Sequence, residues 1–140
     1  MNIDQNGNIE FNGFKLYMGM PYEEFYKIIP NFKGNQYSTS SGELIGHVGF
    51  LDSKTSGTDW EISLQVYLDR GLCAMHLKFI GEPYGEKWLG DESELNRKEY
   101  HKNFLNELGL KQRNYGFGYV RCSLNKVGRT NVVNIIGPAK

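Results

Sequence analysis

The sequence of 140 residues predicts an α+β fold, with an antiparallel sheet of five or six strands and two helices packed on one face. Three observations predict it. Residues 60–80 contain two runs of alternating apolar and polar side chains, and a period of two places one set on a buried sheet face. Two other stretches carry apolar residues at helical spacing. Mostly short, polar turns join the runs, which is typical of antiparallel sheets.

The hairpin at 60–80 is the clearest element. Asp69-Arg70-Gly71 separates its two runs, because Gly tolerates a positive φ and Asp hydrogen-bonds its own backbone. These runs place their apolar residues at alternate positions, namely Trp60, Ile62, Leu64, Val66 and Leu68, and then Cys73, Met75, Leu77 and Phe79. We expect these side chains on the buried face of the sheet.

The segments before residue 60 predict further strands and connectors. Residues 9–11 and 14–18 suit a first hairpin, with Asn12-Gly13 as its turn. The remaining segments are a polar loop at 33–43, a strand at 44–51 and a polar connector at 52–58.

A short helix is expected over residues 21–29. Pro21 suits the first turn of a helix, and Glu23 and Glu24 are favourable at the positive end of its dipole. Pro30 cannot continue the helix and therefore ends it.

A second helix and a final strand pair are predicted in the C-terminal third. After a long loop at 81–90, Asp91 or Ser93 is expected to cap the helix, and Gly109 to end it in a left-handed conformation. The apolar face of this helix is predicted to comprise Leu95, Phe104, Leu105 and Leu108. Residues 117–124 and 131–136 suit the final two strands.

Length and charge restrict the classes of function. A chain of 140 residues is expected to form a single domain, residues 1–140. Its 16 basic residues balance 16 acidic ones, so no general attraction to nucleic acid or to an anionic membrane is expected. The polar start lacks a secretory signal, and no apolar run approaches the roughly 20 residues of a spanning helix. A cytoplasmic protein that binds neither nucleic acid nor membrane is therefore predicted.

The residues that could carry chemistry do not form a known catalytic or metal-binding pattern. Cys73 and Cys122 lie in strand-like runs and are expected to be reduced thiols. His47, His76 and His101 lack the spacing of metal ligands, and His101 is expected on the polar face of the second helix. Pairing of Cys122 with His47 or His76 as nucleophile and base stays open. The prediction is a protein that is not an enzyme, with no catalytic residue, metal or cofactor.

The long loop before the second helix is the predicted partner-binding surface. Such loops are commonly functional, and aromatic residues with a charged rim are typical of interaction sites. The residues predicted to bind a partner are Glu82, Tyr84, Glu86, Trp88, Asp91 and Glu92. Two alternatives stay open: Trp88 could turn inward against the sheet edge, and Gln65, Tyr67 and His76 could form a second surface on the outer face of the hairpin.

Two short segments resemble the motifs of the RNA-recognition family. Residues 15–22 resemble the first-strand hexamer of that family, and residues 115–122 resemble its third-strand octamer. The resemblance implies that Tyr17, Phe117 and Tyr119 would stack on RNA bases. The segments lie about 100 residues apart, and only 18 residues follow Cys122, which leaves no room for the family's last helix.

The organisation of the whole chain resembles small bacterial immunity proteins of contact-dependent inhibition and polymorphic toxin systems. The resemblance is carried by the Gly-Met-Pro-Tyr-Glu-Glu-Phe entry at 19–25, Tyr-rich hairpins and a Leu-Gly-Leu helix exit at 108–110. The same helix entry is also similar to β-lactamase-inhibitor-like and envelope-assembly domains. The immunity resemblance implies a protein-binding module that occludes the active site of a toxin domain, its protein partner. An RNA-binding domain using Tyr17, Phe117 and Tyr119, and a small enzyme, are the alternatives.

Overall fold

Two antiparallel sheets and two helices make up the described part of the structure. It is a computed structural model that describes residues 2–11, 14–28, 33–38, 44–50, 59–85, 87–124 and 129–137. The α+β class and the antiparallel pairing predicted from the sequence are confirmed.

The N-terminal hairpin belongs to a small sheet of its own. Strands β1 (Asn2–Ile3), β2 (Ile9–Phe11) and β3 (Phe14–Leu16) pair in that order. The predicted hairpin is thereby confirmed, although its turn, Asn12-Gly13, lies outside the described residues. Helix α1 (Tyr22–Tyr26) follows and buries Phe25. The predicted stop of this helix, Pro30, also lies outside the described residues.

The large sheet has seven strands, more than the five or six predicted. They are β4 (Lys33–Ser38), β5 (Leu44–Phe50), β6 (Trp60–Tyr67), β7 (Gly71–Phe79), β8 (Asn114–Tyr115), β9 (Gly118–Leu124) and β10 (Asn131–Ile136). Their order is β4-β5-β6-β7-β10-β9-β8. The loop predicted at 33–43 is wrong over 33–38, because β4 pairs with β5 there. An outermost strand needs one pairing partner and few apolar side chains, so its polar sequence resembles a loop. Residues 39–43 and 51–58 lie outside the described part.

The central hairpin, β6 with β7, is confirmed and contains an irregularity. The register shifts between Gln65 and Val66, so that Val66 lies opposite Leu72. A bulge of this kind reverses the alternation beyond it. As a result Leu72 is buried, and Cys73, which was expected on the buried face, is half-buried.

Both helices contribute to one apolar cluster. Helix α2 (Asp91–Glu107) contacts β7, β9 and β10, and α1 contacts β7. Phe25 of α1 and Leu105 of α2 join the buried strand residues Ile62, Leu64, Met75, Leu77, Val133 and Ile135 in the cluster.

The ends and the buried side of α2 differ in part from expectation. The helix begins after Gly90, and no side chain caps its first turn, so the predicted cap by Asp91 or Ser93 is wrong. Leu95 is 64% exposed, whereas Glu94, Arg97, His101 and Leu105 form the buried side. The predicted end is confirmed: Gly109 has a φ of +73°, and the N–H of Leu110 donates to the carbonyl of Leu105 at 2.9 Å.

Candidate functional site

The loop between β7 and α2 is fastened to the rest of the protein near both of its ends. The N–H of Ile80 donates to the carbonyl of Asp59 at 2.9 Å, and the N–H of Gly85 donates to the carbonyl of Ile80 at 3.2 Å. Nearer to the helix, Nη2 of Arg97 donates to the carbonyl of Lys87 at 3.4 Å. These bonds set the course of the loop over the surface.

Tyr84 connects the loop to a group of aromatic rings below it. Its ring centroid lies 6.0 Å from that of Phe79 and 6.2 Å from that of Tyr100, whose rings stack on each other at 4.0 Å. The guanidinium of Arg97 lies 5.5 Å from the Tyr84 ring centroid. Aromatic pairs contribute about 0.5–1.5 kcal/mol beyond the area that they bury, so Tyr84 positions the loop.

Arg97 supports the loop from inside the protein. It is 0% exposed, and its Nη2 lies 3.5 Å from Oε2 of Glu94, which is also buried. Burial lowers the pKa of the Arg97 guanidinium, and the Glu94 carboxylate opposes this change. Oε1 of Glu94 accepts a hydrogen bond from the N–H of Asn131 at 2.7 Å. This ion pair therefore links the loop, α2 and β10.

His101 continues the same buried side of α2, and its expected place on a polar, exposed face is wrong. Its Nδ1 donates to Oδ1 of Asn131 at 2.7 Å, and its Nε2 accepts from the N–H of Phe79 at 3.1 Å. The ring also stacks on Trp60, with centroids 5.7 Å apart. Burial lowers the pKa of His101 to about 4, and the charge of Arg97 acts in the same direction. The imidazole is therefore neutral near pH 7.

Apolar side chains extend from this supported loop into solvent. Trp88 is 43% exposed and Leu89 is 54% exposed. The guanidinium of Arg129 lies 5.6 Å from the centroid of the Trp88 ring. Leu95 lies one helical turn after Asp91, on the exposed side of α2. We call Trp88, Leu89 and Arg129 the Trp88 surface; exposed apolar groups on a supported loop are typical of interaction sites.

The acidic residues predicted to bind a partner are exposed wherever the structure describes their side chains. Glu82, Asp91 and Glu92 are exposed, and the last two occupy the first turn of α2. Acidic residues in a first turn also stabilise the helix dipole, so their type has a structural reason as well. Glu86 lies outside the described residues.

The two predicted aromatic anchors differ from each other. Trp88 is exposed, so the alternative in which it turns inward against the sheet edge is wrong. Tyr84 is half-buried and packs toward Phe79. Leu89 and Arg129 were missed by reasoning from the sequence. The aromatic loop could have indicated Leu89, whereas Arg129 reaches Trp88 from another part of the chain.

The outer face of the central hairpin, the second predicted surface, is engaged within the sheet. Gln65, Tyr67 and His76 are half-buried. Nδ1 of His76 donates to Oδ1 of Asn134 at 2.6 Å, and Nδ2 of Asn134 donates to Oγ of Ser123. His76 therefore takes part in a cross-strand network over β7, β10 and β9.

The three rings implied to stack on RNA bases do not lie on one sheet face. Tyr17 follows β3 of the small sheet, whereas Tyr119 lies on β9 of the large sheet. Phe117, in the turn before β9, packs directly against Gly7. The guanidinium of Arg121 lies 5.2 Å from the centroid of the Tyr119 ring. Base stacking needs open ring faces, and these rings already have neighbours.

The two cysteines are free thiols in different environments. Burial raises the pKa of Cys122 to about 11, so its thiol is protonated near neutral pH. Cys122 lies opposite Val133, which lies opposite Leu77, so His76 is on the other face of the sheet. The side chain of His47 lies outside the described residues. The described part of the chain contains no group of three or more His, Cys, Asp or Glu that could hold a metal ion.

Neither a membrane-spanning helix in the described residues nor a match among known proteins was found. No helix in the described ranges is long and apolar enough to cross a membrane. Comparison of the chain with protein-family models, curated proteins and solved structures finds no match. The supported loop and the Trp88 surface are therefore the features on which a functional interpretation rests.

Proposed function

We propose that this protein is an immunity protein, a protein-binding module that neutralises a cognate bacterial toxin by occluding the active site of the toxin. One observation carries the proposal. Trp88 and Leu89 are exposed on a loop whose supports are half-buried or buried, namely Tyr84 and Arg97. Protein interfaces depend on a few large anchors, and a loop that is already ordered loses little conformational entropy on binding.

The acidic rim supports the same proposal. Glu82, Asp91 and Glu92 are exposed near Trp88 in the sequence, and exposed charges at a rim accelerate association and exclude wrong partners. If the toxin is a nuclease, these carboxylates would take the places of substrate phosphates. The aromatic anchor would then set the lifetime of the complex, because most differences in affinity arise in the dissociation rate.

The shifted titratable groups fit a binding module better than an enzyme. His101 and Cys122 have strongly shifted pKa values, but burial is the first cause of both shifts. His101 lies on the buried side of α2, and Cys122 is buried on β9, a strand that α2 contacts, so both groups support a role in stability more than one in chemistry.

Replacement of Trp88 by Ala tests the proposal. The immobilised protein would first be used to capture its partner from the host, and the identified partner would be purified. Trp88→Ala should then weaken the complex by about 2 kcal/mol, or about thirtyfold in Kd, because a central aromatic anchor is lost. Its folding stability should change by about 1 kcal/mol or less, because the ring is exposed. Calorimetric titration and a thermal unfolding curve measure both.

Tyr26→Ala is the matched control. Tyr26 is 60% exposed on α1, so its replacement removes a similar aromatic ring from another element. The control should bind as the wild type does, and the captured partner should be a toxin whose activity the wild type abolishes. An unchanged Kd for Trp88→Ala, or equal losses in both variants, would remove Trp88 from the interface. A captured partner without toxic activity would contradict the immunity function.

A further inference from the structure

Although the net charge of the chain is zero, its acidic and basic residues are distributed unevenly along the sequence. All 16 acidic residues precede Leu108, whereas six of the 16 basic residues follow it. Residues 1–107 thus carry a formal charge of −6, and residues 108–140 carry +6. Because β9 and β8 are neighbours at one edge of the large sheet, Arg121, on β9, and Arg113, next to β8, lie at that edge.

An open depression of about 470 Å³ lies in this basic region. Its lining residues are Gln112, Arg113, Asn114, Tyr119, Val120 and Arg121. None of them is acidic, and the two arginines are exposed. A hydrogen-bonding wall with two guanidinium groups is suited to an oxyanion.

The arginines of this protein all lie over aromatic rings but differ in whether they also form ion pairs. All five lie over an aromatic ring, as Arg70 over Tyr67, Arg97 over Tyr84, Arg113 over Tyr115, Arg121 over Tyr119 and Arg129 over Trp88. Arg70 and Arg97 also form ion pairs within the chain. In the part of the chain that the structure describes, no carboxylate forms an ion pair with Arg113 or Arg121. Their N–H groups are therefore available to an external acceptor.

The segment that carries Arg113 is held in place on both sides. The hydroxyl of Tyr115 donates to the carbonyl of Lys111 at 2.8 Å and accepts from its N–H at 2.9 Å. The carbonyl of Arg113 accepts from the N–H of Val120 at 3.0 Å.

Gln112 adds a third attachment. Its Oε1 accepts a hydrogen bond from the N–H of Cys122 at 2.8 Å, in the position that a neighbouring strand would occupy. Arg121 itself lies within β9, opposite Asn134 of β10. Both guanidinium groups thus project from backbone that is already fixed, which lowers the entropic cost of binding.

We infer that this depression binds the carboxylate side chains of an acidic segment in a partner protein. A guanidinium presents parallel N–H donors that match the two oxygens of a carboxylate. Each guanidinium lies over a Tyr ring, which limits its orientation while its edge stays available. The site lies on other elements than the loop of the proposed function and does not require its partner to be a toxin.

Nucleic acid is a poorer occupant of the same site. Stacking on bases needs open aromatic faces, but Phe117 stacks on the Tyr115 ring at 5.2 Å, and guanidinium groups lie over the rings of Tyr115 and Tyr119. A long polyanion would also meet the acidic remainder of the chain, whereas a short acidic segment meets the basic edge alone.

A labelled hexaglutamate peptide tests the inference. Its binding would be followed by fluorescence anisotropy at low ionic strength and then at rising salt. The double variant Arg113→Gln/Arg121→Gln should bind about tenfold or more weakly than the wild type, because two charge-assisted contacts are lost. Lys15→Gln/Arg70→Gln removes the same charge from other elements and should bind within about twofold of the wild type. Circular dichroism would establish that both variants are folded.

Several outcomes would overturn the inference. Absence of hexaglutamate binding to the wild type would do so, as would equal losses in the two double variants, which would indicate general electrostatics. Tighter binding of an oligouridine RNA that depends on Arg113 and Arg121 would assign the site to nucleic acid. Displacement of the peptide by an equal concentration of inorganic phosphate would assign it to a free anion.

Discussion

At His101, both ring nitrogens are engaged in a way that only the neutral imidazole allows. Nδ1 donates to Asn131, and Nε2 accepts from the N–H of Phe79. Protonation of Nε2 would place one donor against another and would add a charge beside Arg97. The lowered pKa, about 4, therefore has a geometric reason in addition to burial.

We expect the free energy of unfolding to fall as the pH drops from about 6.5 toward about 4. The pKa of His101 is about 4 in the folded protein and about 6.5 for a histidine exposed to water, so the unfolded chain binds more protons in this window. The contribution of His101 to the free energy of unfolding is fully present above its pKa in the unfolded chain. It is lost as the pH falls toward its pKa in the folded protein. It amounts to about 3 kcal/mol by linkage. Urea unfolding curves across this range measure it.

His101→Gln separates this contribution from that of the carboxylates. Gln keeps a side-chain donor and acceptor but does not titrate in this range. The stability difference between the wild type and His101→Gln should be largest near neutral pH and should shrink in acid. A difference that is constant with pH would show that titration of His101 contributes nothing.

In helix α2, the spacing of apolar residues does not predict which side of the helix is buried. Glu94, Arg97 and His101 follow each other at spacings of three and four, so they share one side of the helix. The apolar spacing predicts Leu95 on the buried side, because apolar residues usually form that side of a helix. An ion pair and a hydrogen-bonded imidazole can replace apolar residues when their partners lie on distant strands, and no local pattern reports such partners.

The ion pair in α2 predicts unequal effects of single and double substitution. Arg97→Met should lower the free energy of unfolding by about 3–5 kcal/mol, because it leaves the buried Glu94 carboxylate without its counter-charge. Glu94→Gln/Arg97→Met removes both charges and should cost less than the single variant. Within the described ranges, Nε and Nη1 of Arg97 and Oε2 of Glu94 have no hydrogen-bond partner, so the pair is not fully compensated.

Urea unfolding of the wild type and both variants measures this difference. The carbonyl of Lys87 loses its donor in either variant, so the loop contact is affected equally in both. A double variant as unstable as Arg97→Met would mean that the cost comes from lost packing of the arginine and not from an isolated charge.

Strands and loops differ in how far their sequence predicts them. Alternation over 60–79 predicts β6 and β7, because both are central strands with one buried face. Polar β4 gives no such signal. The candidate surface was likewise predictable only where the signal is local. The length of the loop and its aromatic residues indicated Trp88. Arg129 lies about 40 residues further on, and its contact with Trp88 depends on the tertiary fold.

In the molecule as a whole, the segment that follows the small sheet joins the large sheet at the start of β7. The N–H of Gly19 donates to the carbonyl of Leu72 at 2.8 Å, and the N–H of Leu72 donates to the carbonyl of Met20 at 2.9 Å. Ile3 and Ile9 of the small sheet belong to the same apolar cluster as the central strands. The two sheets thus share a core, and the segment after β3 is hydrogen-bonded to β7.

Gly71 is the residue that allows this approach, and its replacement tests how much the junction contributes to stability. Its φ is +80°, and a Cβ at this position would overlap the carbonyl oxygen of Met20. Gly85 has a similar φ of +73° but open space around it, so Gly85→Ala should cost only the backbone strain, about 1–2 kcal/mol. Gly71→Ala should cost about 2 kcal/mol more, because the segment that carries Met20 must move away from β7. Thermal unfolding of both variants measures the difference, and equal losses would mean that strain alone, and not contact with this segment, sets the cost at Gly71.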